Sequence, residues 1–303
     1  MRRIMMIALL LLAATLLTAK GPISVSVASK IDTEGALLGN IIVIVLRDNG
    51  FTVTDRTSFG TTSIVRRALI SGEIDIYPEY TGNGGFFFDD TDPEIWKDAR
   101  EGYETVKTLD LERNSIVWLT PAPANNTWAL AVRRDLAEAE GLQSLEDLAD
   151  YLNRGGYIRL AASEEFVNRP DALPSFQDAY GFELSGAQLL TFSGGDTAQT
   201  IRAAAQNIDG VNMAMVYGTD GAISALRLVV LEDTLGVQPV YEPAPIVREA
   251  VINEYPEIEE LLRPVFLSLD LETLQMLNAS IAVEGRDARD VASEYLRSKG
   301  FID

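Results

Sequence analysis

The stretch Ile23-Ser24-Val25-Ser26-Val27-Ala28 begins the pattern that decides the fold. Its apolar and β-branched residues read as a buried strand, and Ser29-Lys30 starts a loop. From Glu34 the period changes. Leu37, Leu38, Ile41, Ile42, Val45 and Leu46 share one helical face, with Thr33 as the expected N-cap and Asn49-Gly50 as the stop. Phe51 to Thr54 reads as strand again, Ser58 to Thr62 as loop, Ser63 to Ile70 as helix, and Ile74 to Tyr77 as a third strand closed by Pro78. Strand, helix, strand, helix, strand predicts an α/β fold with a parallel sheet. Ligands bind in crevices at the carboxyl edge of such sheets. The loops expected at that edge gather Lys30, Thr33, Glu34, Glu79, Tyr80 and Asn83.

Further along, residues 91–110 read as a polar helix opened by Asp92-Pro93-Glu94, and Ser115 to Leu119 as a strand. The stiff run Pro121-Ala122-Pro123-Ala124 predicts a crossover, because a second α/β pattern follows it. That pattern has strands at Thr127–Val132, Tyr157–Ala161, Val211–Tyr217 and Leu228–Leu231, with helices at Leu145–Leu152 and Gln199–Gln206. Ser144 caps the first of these helices; Asp147 stands where a full capping box has Glu or Gln, a weaker form of the signal. Helices at Pro256–Asp270 and Arg289–Lys299 close the chain. The layout predicts one lobe from residues 22–122 and 226–303, a second from 123–225, and crossings near 121–126 and 218–226.

The chain has 303 residues, more than one hydrophobic core usually serves. Its 45 acidic residues against 25 basic ones give a net charge of −20, which repels nucleic-acid backbones. Cysteine and histidine are absent, so disulfides, thiolate catalysis, histidine triads and histidine zinc sites are excluded. Arg2 and Arg3 followed by the apolar run Ile4–Leu17 and the small pair Thr18-Ala19 predict an export signal, residues 1–19. Its removal takes away two arginines and no acids, so the charge moves from −20 to −22. Asp89, Asp90 and Asp92 lack calcium-loop spacing, and no Gly-Lys-Ser/Thr phosphate loop is present; no metal and no cofactor are expected.

Several blocks together resemble one family. They are Ser29-Lys30-Ile31-Asp32-Thr33-Glu34, the run from Gly72 through Tyr77-Pro78-Glu79-Tyr80-Thr81-Gly82, Asn125-Asn126-Thr127-Trp128, Arg169-Pro170-Asp171, Tyr217-Gly218-Thr219-Asp220-Gly221, and Leu277-Asn278. Over nearly the whole mature chain they look like the substrate-binding proteins of osmoprotectant ABC transporters, which carry glycine betaine, choline and related quaternary amines. The resemblance implies a two-lobed fold of the type II periplasmic binding kind, an extracytoplasmic receptor and not an enzyme, a monomer, and permease subunits as partners. It implies an aromatic cage for the ammonium from Tyr80, Trp128 and Tyr217, with Lys30, Asn83 and Arg169 toward the carboxylate. Thr219 and Asp220 enter as binding residues with their block. The sequence departs from the family where a further cage tyrosine is usual: the stretch Phe192 to Thr200 holds none, and Phe192 is the stand-in to consider.

A quaternary ammonium has no N–H to donate, and aromatic faces attract it without stripping water from a carboxylate. Each dry face contributes about 1–2 kcal/mol, so one missing face predicts modest betaine affinity. Lys30 and Arg169 rank betaine above choline, since choline would leave two cations unpaired. Other readings stand beside these. A tyrosine ending a strand is commonly a core edge, a tryptophan inside a strand is commonly core, and Phe86-Phe87-Phe88 suits packing or lobe closure. Gly194-Gly195-Asp196-Thr197 fits a helix cap better than an anion nest. A receptor for another small cationic or amino-acid-like solute is the alternative, with a sensor or enzyme on the same scaffold behind it.

Overall fold

A computed structural model describes residues 24–193 and 196–303. The expected export signal and the Gly194-Gly195 pair lie outside the described residues.

Two five-stranded sheets carry the chain. The first holds β1 (Ser24–Lys30), β2 (Thr52–Gly60), β3 (Ile76–Tyr80), β4 (Ile116–Trp118) and β10 (Pro243–Arg248) in the order β2-β1-β3-β10-β4. The second holds β5 (Trp128–Arg133), β6 (Leu160–Ser163), β7 (Leu189–Phe192), β8 (Met213–Tyr217) and β9 (Leu228–Val230) in the order β7-β6-β8-β5-β9. Parallel pairs β1–β2, β1–β3, β6–β7 and β6–β8 form the α/β cores. β10 and β5 run antiparallel to their neighbours. Each of these is the first strand its sheet receives after the chain crosses over, so both arrive beside the crossing. Helices cover both faces of each sheet. Leu37, Leu38, Ile41, Ile42, Val45 and Leu46 of the helix Thr33–Asp48 are buried on one face of the first sheet, as their period requires. Val65 and Leu69 of the helix Thr62–Ile70 belong to the core on the other face.

Several expected boundaries move for physical reasons. Asp32, not Thr33, caps the first helix, its Oδ1 accepting from Gly35 N at 2.7 Å. β2 continues through the expected loop to Gly60, with Ser58 at φ 57° and a register shift between Ala28 and Lys30. The polar helix is two elements, a 3-10 turn at Pro93–Lys97 and a helix at Ala99–Asn114, divided at Asp98, which caps the second. Ser144 and Asp147 complete a reciprocal capping box, because aspartate is long enough to reach the backbone N–H. Pro78 does not close β3 but lies inside it, opposite Pro245 of β10. Neither proline has an N–H to donate, and β10 is still held at this point by Leu119 N, which donates to the Pro245 carbonyl at 2.9 Å. The strand β10 itself escaped the sequence reading because Pro243 and Pro245 mark it as a loop.

The second crossing is a correction. Leu228–Val230 pairs with β5 in the second sheet, so it does not belong with residues of the first. Tyr180 donates to Asp233, and Gln238 Nε2 donates to the Asp171 carbonyl at 3.0 Å, which ties the chain to the second lobe as far as Gln238. The return therefore runs through Pro239–Pro243 and not 218–226. It lies against the first crossing: Asn126 N donates to Tyr241 O at 2.9 Å, and Ala122 N to Pro243 O at 2.8 Å.

Candidate functional site

The cleft between the two sheets is lined from the first lobe by Lys30, Ile31, Asp32, Thr61, Thr62, Tyr80 and Asn83, from the crossings by Asn126 and Tyr241, and from the second lobe by Trp128, Glu165, Arg169 and Tyr217. Strand ends put them there. Lys30 ends β1, Tyr80 ends β3, Trp128 begins β5 and Tyr217 ends β8, with Trp128 and Tyr217 directly paired across the antiparallel ladder.

The first-lobe wall is organised by Glu79, a carboxylate with no solvent exposure. Its Oε1 accepts from Lys30 Nζ at 2.6 Å, Asn83 Nδ2 at 2.7 Å and Tyr80 N at 2.8 Å. Its Oε2 accepts from the Tyr77 hydroxyl at 2.8 Å. Burying such a charge is tolerable only because it is paired and fully hydrogen-bonded. Lys30 Nζ lies 4.5 Å from the centre of the Tyr80 ring. Lys30 and Asn83 were expected to hold a solute carboxylate. Both border the cleft, yet both already serve Glu79.

On the second-lobe wall the Arg169 guanidinium lies 4.5 Å from the Trp128 ring centre and 4.8 Å from that of Phe86, which belongs to the first lobe. Asp171 takes two of its N–H groups, Oδ1 accepting from Nε and Oδ2 from an Nη. Glu165 accepts from the other Nη at 3.0 Å, and a longer contact of 3.4 Å reaches the Tyr241 hydroxyl. Burial works against the charge, and the Asp171 bonds outweigh it, so Arg169 holds its proton more tightly than an ordinary arginine. Phe166 packs against Trp128 at 75°, and Tyr241 at 55°. Tyr80, Trp128 and Tyr241 are all buried.

A second buried carboxylate, Glu34, joins the lobes. It accepts from the Tyr80 hydroxyl at 2.9 Å, Asn126 Nδ2 at 2.8 Å and Asn278 Nδ2 at 2.7 Å. Asn278 also donates to the Thr219 carbonyl of the second lobe at 3.1 Å. Burial raises the pKa of Glu34 above the usual range, against the lowering effect of bonds from Thr219, Asn278 and Tyr80. Asp220 accepts from Tyr217 N at 2.7 Å and Thr197 Oγ1 at 2.9 Å. Burial pushes its pKa up to about 7, with Glu34 and Asp32 adding repulsion.

Of the residues predicted from sequence, Lys30, Tyr80, Asn83, Trp128, Arg169 and Tyr217 meet at one cleft. Thr219 and Asp220 do not line it; they hold the turn after Tyr217 and the seam between lobes. Phe192 does not line it either, and packs beside the core under β6 and β8. Thr197 and Thr200 are buried, Thr200 Oγ1 donating to Met215 O at 2.6 Å, so neither position offers a cage wall. Sequence reading missed Tyr241, because it fell in a proline-flanked segment with no assigned element. It also missed Glu165 and Asp32. Asp32 carries a sequence signal in hindsight, standing one residue before a helix and two after a strand. Among the described residues no group of acidic side chains could hold a metal ion.

Residues 23–298 match the family described as the substrate binding domain of ABC-type glycine betaine transport system. The chain is 59% identical over 293 residues to the glycine betaine-binding protein YehZ of Escherichia coli, covering 97% of this chain and 96% of that one. It is 33% identical over 283 residues to a glycine-betaine-binding protein of Pseudomonas aeruginosa, covering 91% and 88%. A solved structure of YehZ from Escherichia coli in its apo form, at 60% identity, superposes with a TM-score of 0.72 over 93% of this chain and all of that one.

Proposed function

Because the chain belongs to the family of substrate-binding domains of ABC-type glycine betaine transport systems, we propose that it closes two lobes over a quaternary amine such as glycine betaine and delivers it to the permease subunits of an ABC importer. Membership in that family makes it a solute receptor and not an enzyme. The observation that carries the ligand reading is the convergence of Tyr80, Trp128 and Tyr217 from two sheets on one cleft. Aromatic faces with buried carboxylates behind them suit a bulky cation that donates no hydrogen bond. Tyr241 is a fourth aromatic at the same cleft, placed by the return crossing. Residues 1–19 act as the export signal in this reading, and the receptor works outside the cytoplasmic membrane.

Tyr241 is engaged with Trp128 and Arg169, and no tyrosine stands between Phe192 and Thr200, where Phe192 packs elsewhere, so we expect a betaine dissociation constant above roughly 10 μM. Calorimetric titration of the purified protein with betaine, choline, carnitine, proline betaine, ectoine and common amino acids tests the reading. Heat from a quaternary amine and none from amino acids is the expected result. Binding of an amino acid alone would overturn it, and submicromolar betaine binding would refute the modest affinity.

A further inference from the structure

Both principal aromatic walls of the cleft already carry a cation of the chain itself: Lys30 lies over Tyr80 and Arg169 over Trp128, each 4.5 Å from the ring centre. The two are held differently. Lys30 is fixed by Glu79, which has no exposure and three further hydrogen bonds. Arg169 is held by Glu165 and Asp171, whose side chains are 40% and 42% exposed. Water can replace those two carboxylates as partners, so Arg169 is the cation that can leave its ring.

We propose that Arg169 is a built-in competitor for the Trp128 face, and that it sets which quaternary amines the receptor accepts. The proposal rests on the quaternary-amine reading above. A solute bearing only a cation gains Trp128 by displacing a guanidinium that is already stacked there and already paired. A zwitterion brings a carboxylate with it, which offers the displaced guanidinium a new bidentate partner. Arg169 therefore selects for a solute that joins a quaternary ammonium to an anionic group, and against tetramethylammonium and choline. Phe86 strengthens the discrimination from the opposite lobe by holding the guanidinium's second contact at 4.8 Å.

The test is a titration of tetramethylammonium, choline and betaine into wild type, Arg169→Gln, Trp128→Ala and the double variant, with thermal melts to confirm folding. A freed aromatic face is equivalent to about tenfold in affinity. Arg169→Gln is expected to bind tetramethylammonium and choline about tenfold more tightly, with no gain for betaine. Removing a positive charge also favours any cation by simple electrostatics. The Trp128→Ala background separates the two effects: there Arg169→Gln should change affinity less than about threefold. An unchanged or weakened tetramethylammonium affinity in Arg169→Gln overturns the proposal, as does an equal gain in the Trp128→Ala background. Phe86→Ala keeps the charge and serves if Arg169→Gln does not fold; it should tighten choline about two- to threefold, and no gain overturns the proposal. Should wild type bind no quaternary amine at all, the receptor reading fails, while tetramethylammonium binding by Arg169→Gln still decides this inference.

Discussion

Glu79→Gln isolates the charge that organises the first-lobe wall. Glutamine has the same shape, and its Oε1 can keep the bonds from Lys30 Nζ, Asn83 Nδ2 and Tyr80 N that now measure 2.6, 2.7 and 2.8 Å. Its Nε2 can donate to the Tyr77 hydroxyl, which accepts as readily as it donates. What disappears is the negative charge beside Lys30, whose side chain is 9% exposed against 0% for Glu79. Removing one partner of a buried ion pair costs about 3–5 kcal/mol, because the other charge is left without compensation. Urea denaturation at pH 7 should show a loss in that range, read from the midpoint at unchanged slope. Lys30→Met in the same chain removes the stranded charge, so the double variant should recover at least about 2 kcal/mol relative to the sum of the single losses. A loss below about 1 kcal/mol for Glu79→Gln, or no coupling with Lys30→Met, would refute the claim that a buried ion pair holds this wall together.

Trp128→Ala should weaken a quaternary amine by about tenfold or more, and Trp128→Phe by less, in calorimetric titration; equal affinities would remove Trp128 from the cage. Gly221→Ala should destabilise the protein by about 1–3 kcal/mol in thermal melts, since a Cβ there would lie 1.9 Å from the Gln275 carbonyl oxygen and force the second lobe off the helix Leu271–Ala282. The Asp220 carboxyl should titrate near pH 7 in carbon-13 NMR, where an exposed aspartate would titrate near 4. Its folded pKa is raised, so its contribution to stability is fully present below the unfolded value of 3.8 and is lost as pH rises through about 7. A midpoint near 4 would show that the carboxylate is solvated.

The α/β class and the helix on Leu37 to Leu46 were legible because period is a local property: one helical face must be apolar if it is to meet a sheet. The first crossing was legible because a second α/β pattern follows the stiff run Pro121-Ala122-Pro123-Ala124. Tyr80, Trp128 and Tyr217 were legible through the likeness of their blocks to a family, not through any pattern of spacing. Beyond these the local signals fail. Pro243 and Pro245 argue against a strand, and only the partner strands β3 and β4 make one of Pro243–Arg248. That strand fixes where the chain returns, and so places Tyr241 at the cleft.

The sequence by itself determined the two α/β runs, the acidic charge, the absence of cysteine and histidine chemistry, and the blocks that carry Lys30, Tyr80, Trp128 and Tyr217. Only the tertiary structure decided which side chain each of those residues meets. Lys30 and Glu79 are 49 positions apart, Glu34 and Asn278 are 244 apart, and Phe86 meets Arg169 from the other lobe. A charged side chain takes its role from its counter-ion, and a buried one must find that partner wherever folding brings it. Such pairings are set by the packing of sheets and crossings, which no local period encodes.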